Sequence, residues 1–115
     1  MIVRNFFEVN GEYQSMHDGV GKAKNVRIFS SEDFETNLNF IIYTEIDPGA
    51  SIGYHTHGEN EEVYVILEGS GQMTVNGAAR PVKPGDVLVN KMGWSHGLVN
   101  TSVVPLKILV FEVIR

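Results

Sequence analysis

Residues that break regular backbone recur at short intervals along the second half of this chain. They cluster at Asp47-Pro48-Gly49, Glu68-Gly69-Ser70-Gly71, Asn76-Gly77, Lys83-Pro84-Gly85-Asp86 and Met92-Gly93. Glycine supplies positive φ, proline presets φ, and Asn and Asp bond to their own backbone, so each cluster marks a turn. The runs between them carry β-branched and aromatic side chains and predict strands over residues 39–46, 51–57, 62–67, 72–76, 80–82, 86–90, 95–100 and 106–113. A chain cut this way can bury its apolar side chains only by pairing strands into sheets that face one another. The expectation is an all-β sandwich or barrel, antiparallel and with little helix. Asn76-Gly77 is the sharpest local signal, because a two-residue hairpin turn needs positive φ at both positions.

The first third reads differently. Residues 15–35 are richer in Gly, Ser, Asn and charge and show no clean period, which predicts loop with a short strand at 26–29. Residues 2–9 are expected to form a separate strand. Its unpaired edge would pair most economically with a second copy, hence an expected homodimer. At 115 residues the chain fits one domain, 1–115, with an arm and loop over 1–35 and the strand-rich unit over 36–115.

Composition removes several classes of function. A net charge of −5, with no basic cluster beyond the loose Lys22, Lys24, Arg27 group, disfavours nucleic acid. No apolar run reaches the roughly 18 residues that span a bilayer, and the first residues lack a signal peptide's layout, so no membrane partner and a cytoplasmic location are expected. Zero cysteines exclude disulfides, thiolate metal sites and a thiol nucleophile. What remains for chemistry is histidine and carboxylate.

Three of the four histidines stand in one constellation: His55 and His57, with Glu62 shortly after and His96 downstream. Alternate residues of a strand project to one face, so His55 and His57 point together, and a hairpin partner can bring Glu62 beside them. His96, on a third strand, can close the set. Three neutral nitrogens and one carboxylate oxygen suit a divalent transition metal (Fe, Mn, Ni, Zn, Co or Cu), one per chain, without choosing among them. Glu61 competes for the carboxylate role, but its strand parity points it outward. Tyr64 and Gln72 are the expected pocket residues with polar tips; Tyr43, Tyr54, Met73 and Trp94 are further lining candidates. Glu45 and Glu112 are the carboxylates that remain as acids or bases, with orientation open. His17 is expected as a surface histidine, or else as an acid or base leaning over the mouth of the site.

The same residues resemble a known family. Gly49, His55, His57, Glu62 and Gly69 reproduce the first cupin motif, G-x5-H-x-H-x4-E-x6-G, at every position. Gly85, Gly93, His96 and Asn100 reproduce the second, G-x5-P-x-G-x2-H-x3-N, except that Lys91 replaces the usual proline. The resemblance is to small, single-domain microbial metal-binding cupins. It implies a jelly-roll β-barrel with the metal inside its mouth, and often a dimer. Lys91 loosens the loop before Gly93 and adds a cation that either steers an anionic substrate or is simply solvated. Asn100 is expected to tie a strand end to a neighbouring turn.

Fold alone does not choose a function, so the expectation rests on the site. A divalent metal with two open positions suits a metalloenzyme acting as Lewis acid on a small polar or anionic metabolite: a sugar acid, keto acid or hydroxy acid, by isomerase, lyase or decarboxylase chemistry. Two alternatives stand beside it: an iron-dependent dioxygenase, and a non-catalytic module that binds or senses a small ligand through the metal.

Overall fold

The computed structural model describes residues 1–115, and nearly all its regular structure is antiparallel strand. In chain order the strands are β1 (Glu12–Gln14), β2 (Ala23–Ser30), β3 (Leu38–Ile46), β4 (Ser51–Thr56), β5 (Asn60–Glu68), β6 (Gly71–Val75), β7 (Ala78–Val82), β8 (Val87–Asn90), β9 (Ser95–Asn100) and β10 (Leu106–Ile114), with one 3-10 turn at Ser31–Asp33. They form a six-stranded sheet, β1-β2-β3-β10-β5-β8, and a four-stranded sheet, β4-β9-β6-β7. The two sheets face each other and do not close into a continuous barrel. The architecture is therefore a jelly-roll sandwich. Pro81, which lacks a donor for a second partner, lies in the edge strand β7.

Strand alternation builds the core. Leu106, Ile108 and Val110 of β10 and Tyr64 and Ile66 of β5 turn inward and meet Met73 of β6 and Leu98 of β9 from the opposite sheet. Ile66, Leu98, Leu106 and Ile108 are essentially without solvent exposure, and truncating any of them to Ala is worth about 2–5 kcal/mol. Asn76 and Gly77 both have positive φ (49° and 81°) and join β6 to β7, as a tight hairpin requires.

The N-terminal third departs from expectation twice. Residues 2–9 form no strand: Asn5 nucleates a turn, its Oδ1 accepting from Phe7 N–H and its carbonyl from Glu8 N–H. The turn folds Phe6 onto Tyr43 with ring centroids 4.2 Å apart, capping a second cluster of Val26, Ile28 and Tyr43 on the outer face of the large sheet. Burying these aromatics against Tyr43 outweighs extending them along an edge. The second departure is β2, eight residues where a short strand at 26–29 was expected. Its polar positions Asn25 and Arg27 alternate with Val26 and Ile28, a pattern hidden by flanking charge.

β4 contains an irregularity that positions the site. Ile52 pairs with Leu98, yet His55 pairs with His96, so β4 spends one extra residue across the interval. Simple alternation would set Ile52 and His55 on opposite faces. The bulge at Gly53–Tyr54 lets both turn inward. Opposite it lies Gly97, where a Cβ would come 3.0 Å from Tyr54 Cα.

Candidate metal centre

Glu62 reaches the interior from the large sheet, and His55, His57 and His96 reach it from the small one. One ligand atom from each falls within 4.8 Å of all the others. Glu62 Oε1 lies 2.9 Å from His57 Nε2 and 3.4 Å from His96 Nε2, and the two Nε2 atoms lie 2.5 Å apart. His96 is fully buried, while His57 and Glu62 retain under a tenth of their surface. Glu61, next in sequence, is not among the converging donors.

Hydrogen bonds set the direction of two imidazoles. His55 Nδ1 donates to the Gly53 carbonyl at 2.7 Å, and His57 Nδ1 donates to Asn60 Oδ1 at 2.5 Å. In each ring that leaves Nε2 as the lone pair, the tautomer a metal needs. His96 Nδ1 is buried without a partner. Two imidazole nitrogens as close as those of His57 and His96 repel unless a proton or cation lies between them. The donor set therefore fits a divalent transition metal, and these residues are chemically equipped to hold one.

Electrostatics favour the ligating forms. Burial holds the His55 imidazolium pKa below its ordinary value against the hydrogen bond to Gly53, and His17, His96 and His57 nearby lower it further. Burial opposes ionisation of Glu62. The hydrogen bond from His96 and the positive charge His57 can carry outweigh it, and the Glu62 pKa lies below the usual carboxylate range. Burial, reinforced by Glu62 and Glu112, drives the Tyr64 phenol well above its ordinary value, so it stays protonated.

His55, His57 and Glu62 line a cavity of about 480 Å³, and His96 lies buried behind them. Tyr64 lines it, with its ring edge-on to His96 at 5.3 Å between centroids. Glu112 lines it too, directly opposite Glu62 in strand register, and accepts from Asn39 Nδ2 at 3.0 Å. Burial raises the Glu112 pKa, and the neighbouring Glu62 raises it further against the hydrogen bond from Asn39. Glu45 does not reach the cavity, because it shares β3 parity with Tyr43, on the other face.

Other expected residues fall elsewhere. Gln72 alternates with Gly71 and the core residue Met73, so it points outward and is exposed. The expected parity for it was one residue out. Tyr43 belongs to the outer cluster, Tyr54 is exposed and accepts from Gly77 N–H, and Trp94 lies at the surface with Lys91 Nζ over its ring at 5.8 Å. Lys91 is not in the cavity wall. Asn100 is structural: its Nδ2 donates to the carbonyls of Ile46 and Val104, and its Oδ1 accepts from Ser102 N–H.

His17 is brought to the site. Its ring stacks on His55 with centroids 3.6 Å apart and planes 9° from parallel. The turn that carries it has φ of 50° at His17 and 56° at Asp18, and Gly19 N–H and Gly53 N–H both donate to the Met16 carbonyl. The docking needs glycine at position 53, where a Cβ would come 1.9 Å from the His17 carbonyl oxygen. Asn60, Asn90 and Arg27 also escaped sequence reasoning. Asn90 pairs with Glu62 in register and is wholly buried with both side-chain polar atoms unpartnered. A polar residue closing a strand carries no sequence mark of such a place.

Residues 42–112, more than half the chain, match the cupin domain family. The chain belongs to the cupin family. It is 31% identical to an oxalate-binding protein of Thermotoga maritima, over 95% of this chain and 90% of that one. A crystal structure from the same organism, described as a predicted oxalate decarboxylase, superposes with a TM-score of 0.95 and 32% identity over the whole of both chains. A glucose-6-phosphate isomerase of Pyrococcus abyssi is 36% identical, but this cupin spans only 49% of its length. The polyketide cyclase RemF of Streptomyces resistomycificus shares the fold, with a TM-score of 0.83 at 22% identity over 98% of this chain and 79% of that one. No helix of this cupin is long and apolar enough to cross a membrane.

Proposed function

We propose that this cupin holds one divalent transition metal through His55, His57, Glu62 and His96, and uses it to bind a small anionic metabolite by its oxygens. The observation that carries this reading is the convergence of three imidazole nitrogens and a carboxylate oxygen within 4.8 Å, beside a cavity that His55, His57 and Glu62 line. When bound, such a metal supplies Lewis-acid polarisation of a carbonyl or carboxylate oxygen, which suits lyase, isomerase or decarboxylase chemistry. The protein's own groups complete the site. Tyr64 keeps a phenolic proton beside the ligands, Glu112 presents a second carboxyl across from Glu62, and His17 covers the outward face of His55.

The Thermotoga maritima relatives favour a carboxylate as the ligand, one being described as oxalate-binding and the other as a predicted oxalate decarboxylase. The first description also favours a second reading, in which the metal holds a ligand without turning it over. Elemental analysis of protein purified without a histidine tag or chelator tests the shared basis of both. The expected result is a near-stoichiometric transition metal, lost in His96→Ala, and oxalate binding that requires the metal. Protein that carries no metal and takes none up on titration with manganese, iron(II), nickel or zinc overturns the proposal. Product formation from a panel of small acids then separates turnover from capture.

A further inference from the structure

The wall of the cavity carries one permanent cation, and it is an exposed residue. Of the lining residues Arg27 is the sole lysine or arginine. On the inner face of the large sheet Arg27 opposes Ile42, Ile42 opposes Val110, and Val110 opposes Tyr64. The adjacent row runs from Phe40 through Glu112 to Glu62. Arg27 thus stands three strands from Glu62. With neighbouring strands about 4.8 Å apart, the two backbones are at least roughly 14 Å apart, and a guanidinium over Phe40 lies two spacings, roughly 10 Å, from the Glu62 strand.

The guanidinium is directed and unpaired. Its Cζ lies over the Phe40 ring, 4.8 Å from the centroid, and Phe40 is itself part of the cavity wall. The ion pairs of this protein use Arg4, Lys83, Lys107, His57 and His96, and none uses Arg27. Beside it, Thr44 Oγ1 donates to Asn25 Oδ1 at 2.8 Å, which leaves the Asn25 amide nitrogen to donate elsewhere. Between Arg27 and Tyr64 the wall row is apolar, formed by Ile42 and Val110, while Glu112 stands in the adjacent row.

We propose that Arg27, with Asn25 beside it, forms a second anion subsite, and that the ligand is a bifunctional acid. One end chelates at the histidine cluster, and a second carboxylate, within roughly 10 Å of it, pairs with Arg27. Oxalate, whose two carboxylates are directly bonded, is too short to reach both. The subsite rests on the metal reading above and selects, within it, sugar diacids and acids of similar length.

Gluconate and glucarate separate the two ends, since both offer a hydroxy-acid head on a six-carbon chain and only glucarate ends in a second carboxylate. Calorimetric titration of the manganese(II)-loaded protein is expected to show glucarate binding at least about tenfold more tightly, the worth of one charge-assisted hydrogen-bonded pair. Arg27→Gln removes that advantage while leaving gluconate and manganese affinity within about twofold, and Arg27→Lys restores part of it. Equal affinity for the two acids, no binding of either, or a glucarate preference that survives Arg27→Gln overturns the subsite. Manganese titration without acid reads the metal site separately: a protein that binds the metal but fails the acid test loses only the subsite, and one that binds no metal loses both readings.

Discussion

The stretch over residues 42–112 and the first 35 residues contribute to one cavity in opposite ways. The first supplies all four converging donors, on strands whose register is held by turns at Asn76-Gly77 and Gly93 and by the bulge in β4. The second supplies groups that face whatever lies against those donors: Gln14, His17, Asn25 and Arg27. Donors must be held rigidly because metal geometry tolerates little displacement, and a sheet interior does that. Ligand-facing groups need only reach the mouth, and a docked turn and an edge-side strand suffice. The difference teaches that the converging donors and the other groups lining the cavity come from separate parts of the chain, so substitutions can address one without the other.

The strongest way to break that division is Gly53→Ala. The added Cβ would sit 1.9 Å from the His17 carbonyl oxygen, in backbone that cannot move aside cheaply. A destabilisation of about 1–3 kcal/mol is expected in denaturant unfolding. Metal affinity should fall less than in His96→Ala, because the donors stay on their strands; an equal fall would mean that the two regions form one unit. Asn60→Ala sharpens the metal side. It removes the acceptor of His57 Nδ1 and should weaken metal binding by roughly 10–100-fold, with little change in melting temperature.

The metal-free protein should also lose stability as pH falls from 7 to 5. Folding lowers the pKa of His55 and His17, so below the unfolded value near 6.5 the unfolded chain binds more protons and is favoured. Their contribution is therefore present above that pH and lost below it. Glu62, also lowered, adds a loss at more acid pH, while Glu112, raised, acts in the opposite sense. Melting curves across this range should flatten in His17→Ala, and an unchanged slope would detach His17 from the site. The smallest effect is expected from Asp18→Gly, which relieves positive φ at an exposed position and should stabilise by about 0.5–1 kcal/mol.

Much of the site was legible because its spacing follows strand geometry. His55 and His57 are two apart, Glu62 lies near the start of the next strand, and Asn100 lies at the end of the strand that begins beside His96. Gln72 was misplaced because a short strand between two glycine-rich turns offers no internal marker of which parity faces inward. The N-terminal strand expected at residues 2–9 failed for a related reason. Its apolar residues are real, but they serve a turn that caps Tyr43.

By itself the sequence determined the class of the fold and most of the strands and singled out the four residues that converge, since turn residues and two-residue alternation act over a few positions at a time. Only the tertiary structure decided that the sheets stay open as a sandwich, that a bulge turns Ile52 and His55 to the same side, and that His17, Arg27 and Glu112 share the cavity with the histidines. Those outcomes depend on strands distant in sequence coming into register. Turns fix the register of neighbouring hairpin strands, but the register of strands far apart in sequence is set by the packing of the interior.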